Sequence, residues 1–279
     1  MKLTEDQIRN YEQEGFLLLP ALFSTAEVAA LKAPLQGELA GSTDRTVTEK
    51  DGVVVRSVYG SHQTTEAYRC LARHPRLLEP SRQMLGGDLY VYQFKINVKA
   101  AFAGDVWDWH QDYVFWLEED GLPEPRLTNV VVFLDEVTEF NGPMIFIPRS
   151  HREGVIAAKQ LADVPAEYAD KPEWITDLTA DLKFSVAHQK IAQLARQHGM
   201  TSPKGPAGSV LFFHPNLVHG SAQNMSPFGR AIAIVTYSHV ENLPTRLARP
   251  EFLVSRDYQP LSPVADDALL SPSPTVAVA

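Results

Sequence analysis

Leu89-Tyr-Val-Tyr-Gln-Phe-Lys-Ile-Asn-Val-Lys99 is the stretch that decides the fold. Tyr92, Phe94, Ile96 and Val98 alternate with Gln93, Lys95, Asn97 and Lys99, the period of two that gives a strand one buried face. Further strand signals follow at Asn129–Leu134, Met144–Ile147, Ser209–Phe213 and Ala231–Tyr237. Turn-forming stretches such as Asn141-Gly-Pro143 and Gly205-Pro-Ala-Gly208 separate them. Upstream the texture is helical. Thr4 with Gln7, and Ser24 with Glu27, fit capping boxes; Gly15 closes the first helix and Pro34 should interrupt the second. Phe16–Leu19 reads as a short strand between them and Val53–Val55 as the start of another. Tyr68–Leu85 reads as helix punctuated by Pro75 and Pro80. Ser185–His198 predicts a helix closing at Gly199, inside a roughly fifty-residue excursion between strands. Helices gathered early, then many short strands, predict a mainly β barrel or sandwich with flanking helices. Residues 1–264 are expected to form one domain, and 265–279, with their Ser-Pro-Ser-Pro run, a flexible tail.

Composition narrows the function. A chain of 279 residues, 44% hydrophobic, fills an ordinary core without a disulfide or structural metal. Twenty-five Lys+Arg against 34 Asp+Glu give a net charge of −9, which argues against nucleic acid as a partner. No apolar run approaches the ~20 residues of a membrane span, and the charged N-terminus lacks a signal-peptide core. A single cysteine, Cys70, forms no internal bridge and excludes Cys-rich zinc sites, so a reducing cytoplasm is the expected location.

Three segments hold polar residues that a barrel core would not otherwise want. In Trp107-Asp-Trp-His-Gln-Asp-Tyr-Val-Phe-Trp116, His110 and Asp112 are two apart, so on a strand both would point to one face. An imidazole beside a carboxylate supplies two ligands of a 2-His-1-carboxylate iron site; read alone, the pair more often makes a surface or structural hydrogen bond. The apolar run Val210–Phe213 leads into a loop carrying His219, Gly220 and Ser221. Arg230, eleven residues beyond His219, opens another apolar strand and must find an anion, either a ligand carboxylate or one of the chain's acids. His151 and His214 read as structural, and Glu118-Glu-Asp120 as a solvated loop.

Taken together, H-x-D, about a hundred residues, His, and Arg eleven further on resemble the phytanoyl-CoA dioxygenase family of Fe(II)/2-oxoglutarate oxygenases. The resemblance runs from Leu3 to about Tyr258 and includes Gly15-Phe-Leu-Leu-Leu-Pro20, Tyr92–Asn97 and Asn141–His151. Within the family, Gly104-Asp-Val-Trp107, Trp109–Tyr113, Asn224-Met-Ser-Pro227 and Arg249-Pro-Glu-Phe-Leu253 are most similar to bacterial free L-proline trans-4-hydroxylases, then to ectoine hydroxylases. The resemblance implies a double-stranded β-helix, a cupin-like jelly roll, with Fe(II), 2-oxoglutarate and O2 as its reagents. His110, Asp112 and His219 would bind the iron. Arg230 and Ser221 would take the far carboxylate of 2-oxoglutarate, with Asn97 near the metal. Asn129, where ectoine hydroxylases have a co-substrate serine, would make the same contact. Gln93 and Trp116 would line the pocket. Lys95 would meet a carboxylate or stand solvated at the strand edge, and Arg56 and His62 are further candidates for the substrate carboxylate. Ile232 and Ile234 stand where ectoine hydroxylases have asparagine and phenylalanine, a departure that weakens ectoine as substrate. The activity implied is hydroxylation of a small free amino acid, foremost L-proline to trans-4-hydroxy-L-proline with succinate and CO2. Ectoine or pipecolate is the alternative substrate, and a non-catalytic metal-binding jelly roll the alternative class.

Overall fold

Thr4 opens the first helix as its spacing predicts: its hydroxyl accepts the Gln7 N–H while the Gln7 side chain accepts the Thr4 N–H. This helix, α1 (Glu5–Glu14), ends at Gly15 with φ 84°. A side chain at Gly15 is excluded both by that φ and because its Cβ would lie 2.5 Å from the His151 ring. The computed structural model describes residues 1–40, 43–156, 158–160, 172–180 and 182–271. After β1 (Phe16–Leu19), Ser24 repeats the box for α2 (Thr25–Lys32), and Pro34 separates it from the short α3 (Leu35–Leu39). Next come β2 (Thr46–Thr48), β3 (Val55–Tyr59), α4 (Ser61–Thr64), α5 (Glu66–Ala72) and α6 (Pro75–Leu85). Pro75 sits at the first position of α6, where its missing N–H is harmless.

The chain then enters β4 (Leu89–Lys99), β5 (Trp107–His110), α7 (Asp112–Asp120), β6 (Leu127–Phe133) and β7 (Met144–Phe146). The excursion holds β8 (Ala158–Gln160), β9 (Phe184–Val186) and α8 (His188–His198), so the helix begins later than its sequence pattern and Ser185 is strand. β10 (Val210–Phe213), β11 (His219–Ser221) and β12 (Arg230–His239) follow. A seven-stranded sheet in the order β1-β10-β6-β12-β4-β3-β2 faces a three-stranded sheet β5-β11-β7, with β8–β9 as a separate ribbon. Every pairing among these strands is antiparallel. This is the expected mainly β jelly roll with helices packed outside one sheet.

Two apolar layers sandwich the large sheet. On its outer face Phe94, Ile96, Val130, Val132 and Phe212 pack with Leu31, Leu71 and Leu78 of the helices. On its inner face Val131, Phe133, Ile232 and Ile234 pack with Phe146 of the small sheet. Each such fully buried side chain contributes about 1.5–3 kcal/mol relative to exposure. The period-two reading of β4 holds from Gln93 onward and fails before it. Thr236 pairs with Gln93 but Tyr237 with Val91, so Tyr92 is an extra, bulged residue. Leu89 and Val91 therefore share the outer face with Phe94 and Ile96, and Tyr92 joins a different core cluster.

The expected flexible tail does not start at residue 265. Arg76 grips the Asp266 carboxylate through Nε at 2.9 Å and Nη2 at 2.5 Å, and Leu269 is buried in the outer core. The Ser-Pro-Ser-Pro part of the expectation, beyond residue 271, lies outside the described residues.

Candidate active site

β5 ends on His110, Gln111 turns the corner, and Asp112 is the first residue of α7. The two ligand candidates therefore converge across a strand-to-helix corner, not along one strand as their spacing suggested. Gln111 pins that corner: its amide donates to Gly154 O at 2.8 Å and Asn216 O at 2.6 Å, and accepts the Ile156 N–H at 2.9 Å. His219 opens β11 and is the Cα partner of His110 in the antiparallel pair. Strand pairing thus closes a gap of about a hundred residues in sequence. One donor atom each from His110, Asp112 and His219 falls within 4.8 Å of the others, and all three residues are buried. His110 Nε2 lies 3.6 Å from Asp112 Oδ1, and His219 Nε2 3.9 Å from Asp112 Oδ2.

The donor set fits a divalent metal. His110 Nδ1 lies 2.6 Å from Asp108 O and His219 Nδ1 2.9 Å from Leu217 O. Each Nδ1–H donates to a carbonyl, which leaves the Nε2 lone pair facing Asp112, the tautomer that a metal requires. Burial and neighbouring His110 push the His219 imidazole down to about 3, so it stays neutral. Burial alone would raise the Asp112 carboxyl, but the Lys95 ammonium beside it, with the two imidazoles close by, holds it well below the usual range. Asn129 Nδ2 donates to Asp112 Oδ2 at 2.8 Å, and Thr236 Oγ1 donates to Asn129 Oδ1 at 2.6 Å. Asn129 is therefore spent on orienting the carboxylate and does not line the cavity, contrary to the co-substrate contact expected for it.

Beyond the triad lies an anion-ready end. Arg230, the first residue of β12, is 3% exposed and donates from Nη2 to Gly142 O at 2.6 Å. Among the described residues its Nε, the Ser221 hydroxyl and Asn97 Oδ1 are buried without a hydrogen-bond partner. Such orphans are expensive, and the two that can donate, Arg230 Nε and the Ser221 hydroxyl, mark a place built for an anion. Burial lowers the Arg230 pKa to about 10, which leaves it cationic near neutrality. This half of the site suits a dicarboxylate that reaches from the metal to the guanidinium.

The same cavity is lined by Gln93, Lys95, Trp116, Ile232, Ile234 and Arg249. Lys95 stands inside it, Nζ 3.9 Å from Asp112 Oδ1, and is not a solvated edge residue. Two expected pocket residues are elsewhere. Arg56 pairs with Glu49 at 2.9 Å, donates to Val106 O at 2.6 Å, and lies 3.8 Å over the Trp107 ring, behind the cavity wall. His62 stacks on Phe94, an outer-face residue, and lines a separate cavity with Arg69, Arg73 and Asp257. The Glu118–Asp120 run is the last turn of α7, not a solvated loop, and Asp120 is fully buried against Arg249. Arg249 is the charged pocket residue that sequence reading missed, although its segment carried part of the family resemblance. His151 and His214 make backbone contacts with Glu12 and Asn216 and ligate nothing in the triad.

A jelly roll holding two imidazoles and one carboxylate at a common point, with a buried guanidinium beyond, defines the class of facial-triad iron oxygenases. The comparisons agree. The model of the family described as phytanoyl-CoA dioxygenase (PhyH) matches residues 11–232. The L-proline trans-4-hydroxylase of Streptomyces griseoviridis is 38% identical over 259 residues, covering 93% of this chain and 95% of the relative. The ectoine dioxygenase of Bordetella parapertussis is 35% identical over 264 residues, 91% and 83% of the two chains. A crystal structure of EctD from S. alaskensis with 2-oxoglutarate and 5-hydroxyectoine superposes with a TM-score of 0.78 at 30% identity, covering 94% and 87%. The chain belongs to the phytanoyl-CoA dioxygenase family, and it is a 2-oxoglutarate-dependent dioxygenase with iron as its metal. Among the described residues no helix is long and apolar enough to cross a membrane.

Proposed function

We propose that this enzyme hydroxylates a small free amino acid, and that the substrate is L-proline, converted to trans-4-hydroxy-L-proline. The observation that carries the choice is the pair Ile232 and Ile234 on the cavity wall. They give an apolar surface to a compact ring at the positions where ectoine hydroxylases have an asparagine and a phenylalanine. The 38% identity to a proline hydroxylase over nearly the whole chain supports the same reading. A second reading, ectoine or a related cyclic imino acid such as pipecolate, is favoured by Gln93 and Trp116 in the wall and by the likeness to EctD.

When bound, iron would supply the chemistry by which 2-oxoglutarate is oxidatively decarboxylated to succinate and CO2 and one oxygen atom of O2 enters an unactivated C–H bond. The chain's part is binding, orientation and dryness. His110, Asp112 and His219 would hold the metal through Nε2, a carboxylate oxygen and Nε2. Arg230 and the Ser221 hydroxyl receive the distal carboxylate of 2-oxoglutarate, and Asn97 contacts it near the metal. Lys95 and Arg249 present the cationic side of the cavity to the amino-acid carboxylate. Trp116, Leu178, Leu182 and the two isoleucines line the cavity with apolar surface that excludes water and holds a compact ring.

The test is succinate release from iron-loaded enzyme given 2-oxoglutarate and O2 with a panel of proline, pipecolate, ectoine and a prolyl peptide. Proline-dependent succinate with trans-4-hydroxyproline as product is the expected result. Turnover with ectoine only, or with the peptide only, overturns the substrate and leaves the dioxygenase chemistry standing.

A further inference from the structure

α7 carries a carboxylate at each end: Asp112 is its first residue and Asp120, fully buried, its last. Asp120 Oδ1 accepts the Arg249 Nε–H at 2.9 Å, and Oδ2 accepts from Nη2 at 2.5 Å, a side-on paired fork. The hydroxyl of Tyr92, the bulged residue of β4, donates to the same Oδ2. The Asp120 backbone carbonyl takes the N–H groups of Thr245 at 3.0 Å and Arg246 at 2.8 Å. Arg246 Nη2 reaches back to Leu117 O at 2.6 Å and Glu118 O at 2.5 Å. The segment that delivers Arg249 to the cavity is thus stapled to the end of α7.

Asp120 does not itself line the cavity. Its importance lies in what it spaces. Eight steps along α7 at about 1.5 Å each span roughly 12 Å, with the metal's carboxylate ligand at one end and the Arg249 clamp at the other. A buried carboxylate is tolerated only while paired and hydrogen-bonded, so Arg249 cannot swing away without stranding a charge. One helix therefore determines how far the guanidinium stands from the metal.

We propose that Asp120 is a positioning residue for the amino-acid substrate: through Arg249 it sets where the substrate carboxylate docks relative to the iron, and hence which carbon is presented. This rests on the reading of Arg249 as a carboxylate contact given above. For a small rigid ring, a displaced anchor exposes a different carbon, so Asp120 governs regiochemistry as well as affinity.

The experiment compares Asp120→Asn, Tyr92→Phe and Arg249→Ala, varying proline and 2-oxoglutarate separately and quantifying succinate and each hydroxyproline isomer. For Asp120→Asn, kcat/KM for proline falls about 10- to 100-fold. The KM for 2-oxoglutarate stays unchanged, more succinate is released per hydroxyproline, and product spreads to a second ring carbon. A purely structural role lowers the folded fraction and moves none of these ratios. If Asp120→Asn leaves proline KM, coupling and product ratio unmoved while Arg249→Ala raises proline KM, this proposal is overturned and the carboxylate reading survives. If Arg249→Ala leaves proline KM unmoved, the carboxylate reading fails and this proposal falls with it. Should Asp120→Asn not fold, Tyr92→Phe decides, since it removes one hydrogen bond and no charge. A smaller shift of the same ratios supports the proposal, and none overturns it.

Discussion

Replacing Arg230 by alanine should weaken the enzyme toward 2-oxoglutarate and leave its affinity for the amino acid nearly intact. The guanidinium is 3% exposed, held by Gly142 O through Nη2, and its Nε has no partner among the described residues. A co-substrate carboxylate bound there meets a desolvated cation. Removing one member of such a buried pair costs about 3–5 kcal/mol, which at about 1.4 kcal/mol per decade is a roughly 100- to 4000-fold rise in requirement. Water entering the truncated site favours the lower end. Arg230→Lys keeps the charge but loses the planar fork, and should fall between wild type and Arg230→Ala. The assay follows succinate formation as 2-oxoglutarate is raised to saturation at fixed amino acid, then the reverse. Anaerobic calorimetry of 2-oxoglutarate binding to iron-loaded enzyme separates binding from turnover. An unchanged 2-oxoglutarate KM, or equal rises for both substrates, would refute the assignment of Arg230 as the distal anchor.

Asn129→Ala, which deletes the donor to Asp112, should weaken iron binding about 10- to 100-fold as outer-shell substitutions do; an iron titration that is unchanged, with a raised 2-oxoglutarate KM, would instead restore the contact expected from sequence. Burial, with Arg230 and Arg56 nearby, pushes the Lys99 ammonium down to about 6 against the upward pull of Glu49 and Asp105. Between that value and the ordinary 10.5 the unfolded chain holds a proton that the folded chain has released. Stability therefore rises with pH there, by up to about tenfold in the folding constant per unit. Denaturant titrations at several pH values from about 6.5 to 8.5 should show that slope in wild type and lose it in Lys99→Met; parallel curves would sink the argument. Treatment with a chelator should abolish succinate release and lower the Tm, both restored by added Fe(II), because a ligand bound only by the folded state stabilises it. Turnover that survives chelation excludes the metal chemistry altogether.

Much of this protein is written locally. Alternation in Gln93–Lys99 and the capping boxes at Thr4 and Ser24 depend on neighbours within a few residues, so the strand and helix starts follow from sequence alone. The donor types, two imidazoles, a carboxylate and an otherwise buried arginine, are legible because such groups have few affordable places in an apolar barrel. What the linear chain cannot encode locally is which of several cations faces the cavity. Arg56, His62, Lys95 and Arg249 are equivalent on paper. Pairing with Glu49 draws Arg56 behind Trp107, stacking on the outer face removes His62, and the bond to Asp120 swings Arg249 in. The bulge at Tyr92, the corner that brings Asp112 beside His110, and the diversion of Asn129 to Asp112 are of the same kind. Composition and short-range pattern determined the elements and the chemistry available. Register and long-range packing decided which side chains meet, because a one-residue slip of a strand turns every side chain to its other face.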